Sequence, residues 1–161
     1  TSRTKYAAYT EKSDDYVENM QRLEKKMETA AEMVPHPEIV KGKKLAKIGL
    51  IYFGTTSHAI DEAKAQLKDH GLSSDTMRIR AFPFNHQVRE FIDAHQNVYV
   101  IEQNRDAQMR TLLMNELSID PARLGSIVNY DGLPMTSLQI VDGVLNDLSA
   151  NVSTKQVKQV S

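Results

Sequence analysis

The densest run of chemistry-bearing side chains is Val98–Asp106, read Val-Tyr-Val-Ile-Glu-Gln-Asn-Arg-Asp. Its four apolar residues, mostly β-branched, predict a short strand buried on both faces. Five polar residues follow at once, and an apolar-periodic helix starts close behind them. In open α/β sheets, ligands and partners are met where strands end and helices begin. Glu102 and Asp106 are two carboxylates with Arg105 between them. Such a trio could neutralise itself, or the carboxylates could exchange a proton with a substrate. Arg105 could grip a carboxylate or phosphate in bidentate fashion. The plain alternative is that the knot caps a helix and meets water.

A second strand-to-helix junction, Gly54-Thr55-Thr56-Ser57, is placed where a phosphate could rest on free backbone N–H groups. It has one glycine and no following Gly-x-x-Gly, so it is neither a Walker A loop nor a dinucleotide fingerprint. An N-cap cluster is the favoured reading, with a free-standing nucleotide binder as the weaker alternative. The histidines at 36, 58, 70, 86 and 95 lack any ligand spacing such as His-x-x-x-His. His58 and His86 fall at helix starts and His70 and His95 at helix ends, where structural roles suffice; His36, between two prolines, is expected to be exposed. No Gly-x-Ser-x-Gly elbow is present.

Composition bounds the rest. The chain has 161 residues, 40% apolar and 25% charged, enough for one domain with a real core and a little left over. Net charge is −1, which points to neither nucleic acid nor an anionic membrane. Cysteine is absent. This chain therefore carries no disulfide, catalytic thiol, Cys-ligated zinc or cysteinyl iron–sulfur cluster, and the expected compartment is reducing and cytoplasmic. No apolar run approaches the ~20 residues that span a bilayer. Thr1–Tyr9 lacks the apolar h-region of a signal peptide. A start without methionine reads as processing or as a piece of something longer.

The elements that must position these residues follow from periodicity. Residues 1–12 are polar and read as a tail or linker. Ser13 reads as the N-cap of a helix of about six turns, with Asp14 and Asp15 in its first turn. Tyr16, Met20, Leu23, Met27, Ala31 and Val34 form its apolar stripe. That stripe packs on its own domain, or docks on another domain or subunit. Pro35 and Pro37 end the helix. Residues 1–37 are thus an arm, 38–148 the compact domain and 149–161 a polar, disordered tail.

Within the domain, 38–41 predicts a short edge strand, followed by a basic turn at Gly42, Lys43 and Lys44. Strands are expected at 47–53, 77–82, 97–102 and 124–130, and helices at about 58–70, 86–95, 106–117 and up to Leu148. Gly71 is placed as a C-cap. Thr136 and Gln139 have the form of a capping box. The helices are expected to bury Ile60, Ala63 and Leu67; Val88, Phe91 and Ile92; Met109, Leu112 and Leu113; and Leu138, Val141, Val144, Leu145 and Leu148. Alternation of strand and helix means a three-layer α/β/α domain with a mostly parallel sheet.

Several motifs resemble the α subunit of 2-oxoacid:ferredoxin oxidoreductases. Ile48–Thr56 (Ile-Gly-Leu-Ile-Tyr-Phe-Gly-Thr-Thr) resembles the first strand and loop of one of its domains, and Arg80–Phe84 its second strand and Pro-Phe turn. Tyr99–Met109 (Tyr-Val-Ile-Glu-Gln-Asn-Arg-Asp-Ala-Gln-Met) is the most specific stretch, and Tyr130–Thr136 resembles the turn before the last helix. Tyr9-Thr10-Glu11 and Lys25–Ala30 are similar to the family's linker helix. The likeness covers roughly residues 6–148, in order and spacing. One departure is Ala107, where the family usually has Gly.

The resemblance implies a fold like the C-terminal domain of transketolase, with five strands preceded by a long N-terminal helix. Its edge strand is antiparallel, and its strand order is first, third, second, fourth, fifth. It implies a part in an enzyme that converts a 2-oxoacid, most nearly 2-oxoglutarate, and CoA to acyl-CoA and CO2 while reducing ferredoxin. The intact enzyme would use thiamine diphosphate, Mg²⁺ and [4Fe–4S] clusters, none of them expected on this segment. Expected partners are the pyrimidine-binding domain of the same subunit, the β subunit with the pyrophosphate site, and ferredoxin. Neither a catalytic residue nor a metal ligand is expected here. Gly54, Thr55 and Thr56 should share one crevice with Glu102, Asn104, Arg105 and Gln108 and contact substrate or the rest of the enzyme. The alternative is a non-catalytic assembly module with no small-molecule ligand.

Overall fold

Unbroken apolar runs put two strands at the centre of a sheet, because only a strand covered on both faces can hide such residues throughout. The computed structural model describes residues 1–42 and 46–158, with 151–158 described by backbone alone. In chain order the elements are β1 (Ser2–Arg3), β2 (Tyr9–Thr10), α1 (Ser13–Met33), β3 (Glu38–Val40), β4 (Ile48–Tyr52), α2 (Ser57–Asp69), β5 (Ser74–Arg78), α3 (His86–Ala94), β6 (Asn97–Glu102), α4 (Gln108–Leu117), β7 (Leu124–Val128) and α5 (Ser137–Lys158). They fall into two compact units: Thr1–His36 with Ala81–Asn85, and Pro37–Arg80 with the chain from His86 onward.

In the larger unit the sheet order is β3-β5-β4-β6-β7. β3 is antiparallel to β5, and the other pairings are parallel. This is the expected fold and order. β4 is flanked by β5 on one side and β6 on the other, so the chain winds outward both ways from the β4–β6 junction. One sheet face is a single apolar cluster. Ile48, Leu50 and Tyr52 of β4, Tyr99 and Ile101 of β6 and Ile127 of β7 meet Ile60, Ala63 and Leu67 of α2 and Ile140, Val141 and Val144 of α5. On the opposite face α3 lies tight against β4. A Cβ at Gly49 would stand 2.8 Å from Phe91 Cε1, so only glycine permits that approach.

The structure departs from the sequence expectations in several places. β5 begins at Ser74 and ends at Arg78, upstream of the expected 77–82. Ser-Asp-Thr reads as a polar loop, yet Asp75 is buried. Its carboxylate accepts from Gly42 N (2.7 Å) and pairs with His95 Nε2 (3.2 Å), while His95 Nδ1 lies 2.7 Å from Phe91 O. Residues 1–12 contain an antiparallel hairpin, β1–β2, rather than a plain tail. Ser13 is the first helical residue rather than the cap, and Lys12 is the N-cap. Thr10 replaces the expected cap: its hydroxyl accepts from Lys12 N (3.1 Å) and donates to Asp15 (2.6 Å).

α5 continues to Lys158, past the expected end near Leu148. Leu138 is 63% exposed, and Ile140 takes its place in the core because the stripe facing the sheet runs Ile140, Val141, Val144. Met109 and Leu112 are half-buried, leaving Leu113 as the buried residue of α4. His70 is the C-cap of α2, and Gly71, placed as the cap from the sequence, follows it at φ +77; the Thr136–Gln139 capping box forms as expected through Thr136 N to Gln139 Oε1 at 2.8 Å and Gln139 N to Thr136 Oγ1 at 3.3 Å. Lys43, Lys44 and residues 159–161 lie outside the described residues.

Tyr99 ties β6 to α5. Its hydroxyl donates to Asp147 Oδ2 at 3.0 Å, and its ring lies on Gly125, where a Cβ would stand 2.6 Å from Tyr99 Cδ1. Burial first, then the bond to Asp147 and its charge, push the phenol well above its usual range. The unfolded chain loses this proton near pH ~10, whereas the folded chain keeps it to higher pH. Its contribution is therefore complete below pH ~10 and falls as pH rises beyond that. Urea unfolding of Tyr99→Phe is expected to show a loss of about 1 kcal/mol at pH 7, and a shallower decline than the parent between pH ~9.5 and ~11. An unchanged alkaline slope would refute the assignment.

Candidate functional site

The site is built at the carboxyl ends of β4 and β6, starting from one carboxylate. Glu102 closes β6 with no exposed surface. Its oxygens accept from Met109 N (2.7 Å), Arg110 N (3.0 Å) and Asn104 Nδ2 (2.8 Å). Asn104 Oδ1 in turn accepts from Asp106 N (3.1 Å) and Gln108 N (3.2 Å), and Thr111 N donates to Ala107 O at 3.0 Å. A helix begins with four orphan N–H groups. In α4 three of them, Gln108, Met109 and Arg110 N, are taken by the strand end and its loop, and Thr111 N makes the first intrahelical bond to Ala107 O. The negative carboxylate also suits the positive end of the helix. Arg105 reaches outward, its side chain 74% exposed, and grips Asp106 through Nε (2.7 Å) and Nη2 (3.3 Å).

The second strand end arrives through Gln103. Its Nε2 donates to Thr55 Oγ1 (3.0 Å) and Thr56 Oγ1 (3.1 Å), joining the loop after β4 to the loop after β6. Gly54 turns this corner with φ +59, a conformation natural to glycine. The threonine hydroxyls serve the neighbouring loop. The expected N-cap cluster does not form, since α2 has no side-chain cap at its start. The notch continues past β7. Asn129 N donates to Glu102 O (3.0 Å), and its amide donates to Asp131 Oδ1 and Leu133 O (each 3.0 Å). Gln103, Asn129, Tyr130, Gly132, Leu133 and Pro134 line an open hollow of about 460 Å³.

Thr55, Thr56, Gln103 and the Glu102–Gln108 loop thus converge, as the switch-point geometry requires. Gly54, Thr55, Arg105 and Gln108 are exposed, Asn104 is partly so, and Thr56 and Glu102 are buried. Buried Glu102 presents no oxygen to solvent and meets α4 instead. Gln103, the residue that joins the two loops, was absent from the sequence-based set. The period-two alternation of β6 gives the signal for it: Gln103 shares the side of Tyr99 and Ile101, towards α2. What the notch offers is recognition by hydroxyls, amides and one guanidinium. Among the described residues, no group of three or more His, Asp or Glu side chains could hold a metal ion. No helix among them is long and apolar enough to cross a membrane.

Comparison with known proteins gives this arrangement a lineage. Over 129 residues the chain is 31% identical to the α subunit of 2-oxoacid:ferredoxin oxidoreductase 2 of Aeropyrum pernix, covering 78% of this chain and 20% of that subunit. The chain is homologous to a segment of 2-oxoacid:ferredoxin oxidoreductase α subunits. A second relative, the α subunit of 2-oxoacid:ferredoxin oxidoreductase from Saccharolobus solfataricus, is 24% identical over 86% of this chain and 22% of its own length. The chain therefore spans about a fifth of the curated relatives it matches. The fold recurs in 2-oxoglutarate:ferredoxin oxidoreductase from Magnetococcus marinus, solved with 2-oxoglutarate, coenzyme A and succinyl-CoA bound. The TM-score there is 0.78 with 21% identity, covering 89% of this chain and 25% of that one. No protein-family model matches.

Ala107 sits at φ +49 as the N-cap of α4. There a Cβ costs about 1–2 kcal/mol that glycine avoids, offset in part by the ~0.5–1 kcal/mol of extra backbone entropy that glycine loses on folding. Ala107→Gly should raise the urea midpoint by the equivalent of up to ~1 kcal/mol. Glu102→Gln places an NH2 group against a backbone N–H and should cost about 1.5–3 kcal/mol. A midpoint lowered by Ala107→Gly, or unmoved by Glu102→Gln, would contradict this account of the cap.

Proposed function

We propose that this chain acts as one domain of the α subunit of a 2-oxoacid:ferredoxin oxidoreductase, with 2-oxoglutarate as the 2-oxoacid. The whole enzyme would convert 2-oxoacid, CoA and oxidised ferredoxin to acyl-CoA, CO2 and reduced ferredoxin, in the cytoplasm. The observation that carries the reading is the junction itself. The stretch most like the family, Tyr99–Met109, is the stretch that builds the Glu102 cap and sends Gln103 to Thr55 and Thr56. The presence of 2-oxoglutarate and CoA in the Magnetococcus marinus enzyme supports the choice of substrates.

This chain's own residues fit a supporting role. With no cysteine it supplies no thiolate to an iron–sulfur cluster. Thiamine diphosphate and Mg²⁺ would lie between the pyrimidine-binding domain and the pyrophosphate site of the β subunit, and the enzyme's [4Fe–4S] clusters would be carried outside this chain on the way to ferredoxin. Here Arg105, Gln108, Thr55 and the Gln103-lined hollow would meet the acidic substrate, CoA or the neighbouring domain. One observation favours a second reading, an assembly module that binds nothing small: Glu102 and Asn104 spend their oxygens on backbone N–H groups.

The α subunit carrying this sequence, assembled with its β subunit, thiamine diphosphate and Mg²⁺, is expected to reduce a viologen dye with 2-oxoglutarate and CoA. The 161-residue chain alone is expected to be inactive. Gln103→Ala in the assembled enzyme should lower kcat/KM by about tenfold through misplacement of the notch. Dye reduction by the chain alone, or no 2-oxoacid oxidation by the assembly, would overturn the reading. If Gln103→Ala leaves the rate unchanged and calorimetry shows no heat with CoA or 2-oxoglutarate, the assembly module stands instead.

A further inference from the structure

The smaller unit holds an apolar seam that the functional reading has not used. Tyr16, Met20, Leu23 and Met27 follow one another at intervals of four, three and four. They are between 42% and 51% exposed. Three intervals over eleven residues average about 3.7, close to the 3.6-residue turn, so the four side chains form one stripe along a single helix face. The seam covers ~17 Å of α1 at about 1.5 Å per residue. Soluble monomers seldom leave aligned large apolar side chains uncovered.

The hairpin before the helix does not cover the seam. Asn19 Nδ2 donates to Ser2 Oγ (3.2 Å) and to Arg3 O, Thr10 bonds Asp15, and Lys5 reaches Glu18 (3.8 Å). At about 100° per residue, Asp15 and Asn19 lie roughly a quarter-turn from the seam and Glu18 lies nearly opposite it.

We infer that this seam is a docking surface for polypeptide of the same α subunit lying outside the present sequence, seated by an apolar helix or sheet face. The inference rests on the reading above, in which the chain works as one segment of a longer subunit. A second copy of this chain fits poorly. Two antiparallel copies that pair Leu23 with Met27 set Glu24 against Glu24 and Lys26 against Lys26. Parallel copies place Lys26 beside Ala31 and Asn19 beside Glu24, with no opposite charges to fix the pairing. The relatives, by contrast, carry about four-fifths of their length beyond this segment, which spans 20% and 22% of them. That is ample polypeptide to cover one helix face.

Peroxide footprinting tests the inference, because Met20 and Met27 lie in the seam and thioether oxidation reports exposure. Sulfoxide formation is measured in the chain alone and in the α subunit that carries it, with fully buried Met77 as the internal standard of an intact fold. At least tenfold protection of Met20 and Met27 in the subunit, relative to the chain, is expected. Leu23→Glu should leave the chain's melting unchanged yet restore oxidation in the subunit. Equal rates in the two proteins, protection already complete in the chain (as a dimer by sedimentation or as a monomer), or protection indifferent to Leu23→Glu would each overturn the inference. Dye reduction measured on the same assembly keeps the two readings apart. An active enzyme with reactive Met20 and Met27 refutes the docking alone, and protection without 2-oxoacid activity refutes the function alone.

Discussion

A single buried carboxylate fixes the geometry on which the notch depends. An ionised side chain with no access to water is costly unless every oxygen is bonded. Glu102 meets that condition by drawing Met109 N, Arg110 N and the Asn104 amide to itself. The bonds set where α4 starts, and the loop between strand and helix has little freedom left. Asn104, held by that carboxylate, then takes two more N–H groups. Glu102 also holds the end of the neighbouring strand through its carbonyl and Asn129 N. Everything on the carboxyl edge from β6 to β7 is referenced to that residue.

The division of labour among five consecutive polar residues follows from strand geometry. Alternation sends Glu102 to the α4 side and Gln103 to the α2 side. Asn104 bends the chain, and Arg105 and Asp106, past the strand, pair with each other at the surface. The residues that shape the notch are thus distinct from those that reach out of it. Fold likeness alone carries no chemistry. The likeness to 2-oxoacid:ferredoxin oxidoreductase α subunits extends over 129 residues, and the site within that span is described by its own contacts.

Legibility in the sequence tracked the strength of the local signal. β4 is apolar throughout and β6 is apolar between its terminal Asn97 and Glu102, so both could be placed within a residue or so, and the strand order followed from the family resemblance. β5 was displaced because a buried Asp75–His95 pair disguises its first residues as loop, and no local pattern reveals a partner twenty residues away. The hairpin of residues 2–10 rests on two-residue strands, too short for any periodicity to register. The candidate site was legible as a location, since both strand-to-helix junctions were visible. Roles within it were not. Whether a glutamate faces water or a helix N-terminus depends on backbone placed by tertiary packing, and Gln103 differs from its neighbours only in which side of the strand it takes.

The five residues Ala81–Asn85 belong with the arm although they come from the middle of the sheet domain's sequence. A boundary drawn at residue 36 therefore divides the smaller unit, whose second piece comes later in the sequence. Any recombination that grafted a foreign arm onto this sheet domain would deliver a helix without the inner loop that completes its unit. Arm and loop are expected to be inherited together and to vary together, so neither can be exchanged as a free module.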